Sequence, residues 1–321
     1  MQAFAEWLTA SSARALAGAA LLAFLALLLP FGSWLPGALL VLLALRAGPV
    51  QDWVAGVVAG LTLLWSLFSA GAGPVPAGLV TLALVVPPLL IGRVLGRGGS
   101  LNLTFQIATL VSLGFLVVVH AVLADPPGVW RPFLEKLAGE LDRMGAVISN
   151  VGSGQRPQDT DLITASASRM WGVVTWLLLL NTMVAAFVGL WWSGLLARSA
   201  RLGPAFRELK AGRTLAVLAI VVVLLTLVLR WDLPADATWV FLGAFVLQGL
   251  AILHAARDTL GLSAGWLVAT YVLLFIPFTT LFVQGALAVF GFVDNWYPLR
   301  ERFAAGRPRS GKPGGGPDPE G

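Results

Sequence analysis

The sequence predicts an all-α integral membrane protein, a polytopic helical bundle of eight to nine membrane segments with one interfacial amphipathic helix. Three observations carry that expectation. Of 321 residues, 58% are hydrophobic and only 12% are charged, against roughly 25% charged in ordinary soluble domains; the mean hydropathy is +0.85. Nearly every stretch long enough to cross a bilayer is free of Asp, Glu, Lys and Arg, which sit in the joints between stretches. A soluble chain of this length has too little interior to hide so much apolar surface, so lipid must cover the remainder.

Composition also excludes chemistry. There is no cysteine, so disulfides, thiolate nucleophiles and Cys-ligated zinc are ruled out. The net charge of +5 comes from basic residues spread over short loops and the tail, the distribution that the positive-inside rule produces, and it points to no nucleic-acid partner.

A membrane-spanning helix needs about 20 apolar residues, with a range of about 17–25. Spans are predicted near 15–30, 53–70, 75–92, 101–124, 170–197, 214–229, 237–255 and 264–292. The first is an uncleaved span: only Arg14 precedes it, and it runs into Phe31 and Trp34 with no small-x-small cleavage pattern. Trp34 to Leu45 is a ninth apolar piece; at about twelve residues, or roughly 18 Å, it is a short span or a re-entrant segment. Pro87-Pro88 and Pro277 fall inside apolar runs, where they kink or break a helix. The run 264–292 is therefore either one long helix bent at Pro277 or a hairpin of two half-helices.

Arg46, then Arg93 with Arg97, then Arg198, Arg201, Arg207, Lys210 and Arg213 mark three basic loops. All three face the cytoplasm if 34–45 is a true span and the N-terminus lies inside. Arg300, Arg302, Arg307, Arg309 and Lys312 favour the same side for the tail. The expected placement is thus the inner (plasma) membrane, multi-pass, with both ends cytoplasmic. Residues 1–303 form one transmembrane domain. The outer-face segment 125–168 interrupts it, and 304–321, with Pro313-Gly314-Gly315-Gly316-Pro317, is a disordered cytoplasmic tail. Within the outer segment, Trp130, Phe133, Leu134, Leu137, Leu141, Met144 and Ile148 recur at helical spacing, with charges of both signs on the other side. That pattern is an amphipathic helix, either a cap over the bundle or a partner-docking element.

No catalytic constellation stands out. Gly261-Leu262-Ser263-Ala264-Gly265 matches a nucleophile elbow, but it opens a membrane span, where Ser263 is a helix N-cap. The only histidines are His120 and His254, with no metal-binding pattern, so the sequence predicts neither an enzyme nor a cofactor or metal site. The glycine-rich stretch Gly92 to Gly99 lacks the lysine and strand of a nucleotide loop; it reads as a cytoplasmic turn, with a lipid phosphate contact as the alternative. Ala15, Ala19 and Ala23 on the first span, and Gly56 with Gly60 on another, are small-residue stripes: helix-packing faces or a seam for a partner. Polar residues inside spans are few: Gln106, Asn181, Gln248 and Gln284, with His120 and His254 toward helix ends. Such residues are mostly interhelical glue; as a ligand site the candidate set is Asn181, Gln248, His254 and Gln284.

Gln248-Gly249-Leu250-Ala251-Ile252-Leu253-His254, Gly291-Phe292-Val293-Asp294-Asn295-Trp296 and Leu299-Arg300-Glu301-Arg302 together resemble the YybS-like bacterial membrane proteins, a family carrying a domain of unknown function. The resemblance implies a bacterial membrane protein of this layout and transfers no activity. In architecture the first six helices, with their small-residue first span, are also similar to substrate-binding subunits of energy-coupling-factor vitamin transporters; about three further segments depart from that pattern. The C-terminal motif then has two readings. Trp296 and Tyr297 anchor at headgroup depth, or Asp294 pairs with Arg300 or Arg302 to fix the last helix for a partner.

Two functions remain. The first is a transport-related small-molecule-binding membrane subunit without its own energy source. The second is a structural or regulatory scaffold of a cell-envelope complex. The expected partners are lipid and other membrane proteins, such as a transport motor or an envelope complex.

Overall fold

The computed structural model describes residues 1–29, 31–148, 160–199 and 202–305. Among them all regular structure is helical. The order is α1 (Gln2–Thr9), α2 (Ser12–Leu28), α3 (Leu35–Arg46), α4 (Pro49–Ser69), α5 (Pro74–Gly96), α6 (Leu101–Val122), a 3-10 turn (Pro127–Val129), α7 (Arg131–Ile148), α8 (Thr160–Ala167), α9 (Met170–Ala197), α10 (Leu202–Arg207), α11 (Arg213–Leu229), α12 (Asp232–Leu260), α13 (Ala264–Phe275), α14 (Pro277–Val293) and α15 (Leu299–Ala305). The tail predicted for 304–321 lies, from residue 306 on, outside the described residues, as do 149–159 of the outer segment, Pro30 and Arg201.

Five helices are long and apolar enough to cross a membrane: α4, α5, α6, α9 with the residues leading into it, and α12. The pair α1 and α2, bent by 118°, makes a sixth if it is one broken span. Helices α3, α11, α13 and α14 are apolar but have only 10–17 residues each. The predicted segments thus divide into five or six of full spanning length and a shorter set.

The shorter set has physical causes. α3 is apolar on every side, and Ala38 to Leu43 are fully buried among α2, α4, α5 and α9, as an all-round hydrophobic helix must be. Its neighbours reach it through glycine. A Cβ on Gly92 would lie 3.1 Å from the Val41 Cα, one on Gly96 2.5 Å from the Ala44 carbonyl oxygen, and one on Gly189 2.9 Å from the Ala38 carbonyl oxygen. Gly92 and Gly96 therefore belong to α5 and form a close-approach face; only Arg97 to Gly99 make the turn. Ser100 caps α6 there, its hydroxyl accepting from the Leu103 N–H at 3.1 Å.

α13 and α14 settle the form of the 264–292 run. It is two helices, separated at Ile276. Pro277 brings no N–H to the Leu273 carbonyl, and the threonines after the break replace it. The Thr279 hydroxyl donates to the Leu273 oxygen at 2.6 Å, and the Thr280 hydroxyl to the Leu274 oxygen at 2.9 Å.

Two apolar clusters share α9 as their common wall. One joins α2, α3, α4 and α5, and includes Ala15, Ala19 and Ala23 against Ala55, Ala59 and Leu63. That stripe is buried inside the chain. Gly56 and Gly60 face α5, at Leu89 and Thr81. The other cluster joins α5, α6, α9, α11 and α12. Against it α14 runs antiparallel to α12 at the closest backbone approach of this half: a Cβ on Gly249 would sit 2.1 Å from the Leu287 carbonyl oxygen, and one on Gly291 2.1 Å from that of Phe245.

α7 forms where its apolar periodicity places it. Its neighbours are the 3-10 turn and α8 rather than the spans. Phe133 remains 54% exposed and Leu137 43%, so the helix is not a closed cap.

Gly249→Ala has no room for its methyl group without separating α12 from α14, and is expected to cost roughly 1–3 kcal/mol. Gly114→Ala in α6 meets nothing within 4 Å and is expected to stabilise by roughly 0.5–1 kcal/mol. Equilibrium unfolding in detergent checks both; equal responses at the two sites would contradict the close α12–α14 crossing.

Candidate functional site

The chain between α10 and α11 is not helical, yet Leu209 and Ala211 are buried. In an apolar body each of its backbone groups needs a partner. The Lys210 N–H donates to Asn102 Oδ1 (2.9 Å), the Ala211 N–H to Gln248 Oε1 (2.9 Å) and the Gly212 N–H to Asn295 Oδ1 (2.8 Å). The Leu209 carbonyl accepts from Arg300 Nη2 at 2.6 Å. Gly212 takes φ +87°, a left-handed conformation that favours glycine.

The same side chains tie the C-terminal helices down. Gln248 Nε2 donates to Asp294 Oδ2 at 3.1 Å, and Asn295 Nδ2 donates to the Gly291 carbonyl at 2.9 Å. Asp294 Oδ1 accepts from the Leu299 N–H at 3.2 Å, and Asp294 Oδ2 lies 3.5 Å from Arg300 Nη2. Burial draws the Arg300 pKa below the usual arginine value, against the opposing pull of Asp294 and Glu208. Arg302 instead stacks over Tyr297 at 4.3 Å, and Trp296 packs on Phe292 at 4.6 Å. The short motifs at 248–249, 291–296 and 299–302 therefore meet in one clasp.

Among the described residues three carboxylates are buried, and each faces a base. Asp52, in the first turn of α4, is held by Arg93 through Nε (3.1 Å) and Nη2 (3.3 Å), with the Trp53 ring 3.8 Å from the guanidinium carbon. Asp294 has Arg300. Asp236 meets the His120 Nε2 at 3.0 Å, where α6, α9 and α12 converge; Gly172 brings the first turn of α9 against it, and a helix N-terminus favours negative charge. The predicted span began at 237, one residue too late to include Asp236, because α12 already starts at Asp232.

A cavity of about 310 Å³ opens at the far end of α12 from Asp236, lined by Phe187, Phe206, Arg207, His254, Arg257, Asp258 and Tyr271 together with Leu202 and Gly203. Phe206 meets Phe187 and His254 edge-to-face, each at 5.3 Å between ring centres. His254 Nε2 and the Tyr271 hydroxyl are 3.0 Å apart. Arg207 is ion-paired to Asp258. A larger groove of about 590 Å³ beside α7, walled by Leu79, Phe115, Trp130, Phe133, Trp171 and Val174, is lined almost wholly by apolar side chains and carries no charged group.

The structure does not gather the four predicted ligand residues. Gln248 is fully buried with its amide spent in the clasp. Asn181 accepts from the Ser33 hydroxyl at 2.7 Å, in the core between α9 and the turn before α3. Gln284 is half-buried on α14. Only His254 borders the cavity. Ser263 occupies the N-cap position of α13, but its hydroxyl makes no capping bond. Among the described residues no cluster of His, Asp and Glu has a metal-binding arrangement. Sequence reading missed Asn102, Asn295, Asp52 and Asp236. Asn295 alone had a visible signal, since it adjoins Asp294 in the C-terminal motif.

Asp52→Ala would take the carboxylate away from the partly buried Arg93 and is expected to cost about 3 kcal/mol, the low end for breaking a buried pair. Ser33→Ala removes one neutral donor from Asn181 and should cost roughly 1–3 kcal/mol. Unfolding of the two variants in one detergent tests the order; Ser33→Ala as damaging as Asp52→Ala would contradict the Asp52–Arg93 pair.

No family model, curated protein or solved structure matches the chain.

Proposed function

We propose that this chain is a small-molecule-binding membrane subunit, related to transport and without its own energy source, whose ligand site is the cavity around His254. The lining of that cavity carries the reading: aromatic walls for an apolar body, and His254, Tyr271, Arg207 and Arg257 to fix orientation, the mixture that small-molecule sites use. The protein sits in the bacterial inner membrane with both ends cytoplasmic. There α3, α11 and the α13–α14 pair, taken as one segment, complete eight or nine membrane segments, and the basic residues around the cavity face the cytoplasm. Membership of the YybS-like group is part of this proposal. It is supported by the way Gln248, Asp294, Asn295 and Arg300 converge.

A second reading, a scaffold or regulatory component of a cell-envelope complex, is favoured by one observation. The apolar face of α7 is left open at Phe133 and Leu137, where a partner would cover it.

Purification in mild detergent, with mass spectrometry of retained small molecules and co-purifying proteins, separates the two. The binding subunit predicts a retained small molecule that Phe206→Ala releases while the variant washed free of ligand still unfolds in one cooperative transition. Envelope proteins without a retained molecule would sink that reading and leave the scaffold.

A further inference from the structure

We infer that the His254 cavity takes a single negatively charged group, a carboxylate or a phosphate, carried on an apolar body; this rests on reading the cavity as the ligand site. The charge count around it is unequal. Arg207 is bound directly to Asp258, and Arg257 Nη1 lies 3.9 Å from the other oxygen of the same carboxylate. Two guanidinium groups thus share one carboxylate. The Arg257 Nε is buried and has no hydrogen-bond partner among the described residues. The Arg257 side chain is otherwise 41% exposed, and with one carboxylate shared between two guanidinium groups, an anion in the cavity offsets the excess positive charge through charge-assisted hydrogen bonds.

The rest of the cavity defines what the anion is attached to. Phe187, Phe206 and Tyr271 present ring faces and edges, and Leu202 closes the wall. His254 Nε2 is already engaged with the Tyr271 hydroxyl, and Arg257, the more distant of the two guanidinium groups from Asp258, has donors to spare. A volume of about 310 Å³ lies at the small end of the roughly 300–1,000 Å³ range of ligand sites. It admits a compact aromatic acid, or the headgroup of an anionic phospholipid whose chains stay outside. The two sources share the same chemistry: one negative group, seated on Arg257.

The test uses the full chain in nanodiscs. In phosphatidylcholine discs, binding of indole-3-carboxylate and of neutral indole is measured for the wild type and for Arg257→Gln, Arg257→Lys and Phe206→Ala. A second set of discs contains phosphatidylglycerol. The inference predicts that the carboxylate binds about tenfold tighter than indole, that Arg257→Gln abolishes this preference and that Arg257→Lys keeps part of it. If the natural anion is a headgroup, phosphatidylglycerol raises the unfolding temperature of the wild type but not of Arg257→Gln, and it displaces the carboxylate. Equal binding of acid and indole, lost in Phe206→Ala, overturns the anion and leaves the cavity as a site for a neutral molecule. Binding of neither compound, with no effect of phosphatidylglycerol, overturns the cavity reading as well.

Discussion

The structure depends on a constraint that burial imposes on the connection between α10 and α11, where Leu209 and Ala211 are closed off by protein. A non-helical stretch buried in an apolar body has no water to satisfy its backbone, so the protein must supply every partner. Asn102 from α6, Gln248 from α12, Asn295 from the end of α14 and Arg300 from α15 each supply one. Four separate parts of the chain are thereby held at one point. The close glycine crossing of α12 and α14 makes this possible, because it brings Asp294 and Asn295 within reach of the Gln248 amide. Interhelical hydrogen bonds in membranes each stabilise by only about 0.6 kcal/mol on average. The clasp matters through its number of bonds and through the cost of leaving any buried group unpaired.

The same economy governs charge. Asp52 and Asp294 sit opposite guanidinium groups, in ion pairs that lock helix ends together. Asp236 faces an imidazole instead. Buried groups without a partner among the described residues are scattered through the bundle; of these, Arg257 Nε belongs to the His254 cavity, which α10, α12 and α13 frame.

What the sequence displayed follows from what is local. Apolar runs, prolines and the periodicity of 131–148 depend on neighbours in the chain; they point to the helices and leave two forms open at Pro277, where the chain breaks, whereas α5 runs unbroken through Pro87-Pro88. Packing partners are not local. Gly92 and Gly96 looked like a loop because arginines and further glycines follow them, whereas their role is to admit α3. Asp236 escaped notice because an acidic residue one position before an apolar run reads as a flank; the helix had begun four residues earlier. Gln248 was singled out correctly as a buried polar residue, but its partners lie 37 and 46 positions away, and no spacing rule connects them. Of the cavity, the predicted ligand set contains His254 alone; Phe206 and Tyr271 look like ordinary apolar residues until folding brings them to it.

A double-mutant cycle between Gln248 and Asp294 tests the central claim most directly. The free energy of unfolding would be measured in detergent for Gln248→Leu, Asp294→Leu and the double variant. If the clasp holds α12, α14 and the α10–α11 connection together, the two substitutions are strongly coupled, by about 1 kcal/mol or more. Losses that add to within roughly 0.3–0.5 kcal/mol would show two independent residues and contradict the clasp.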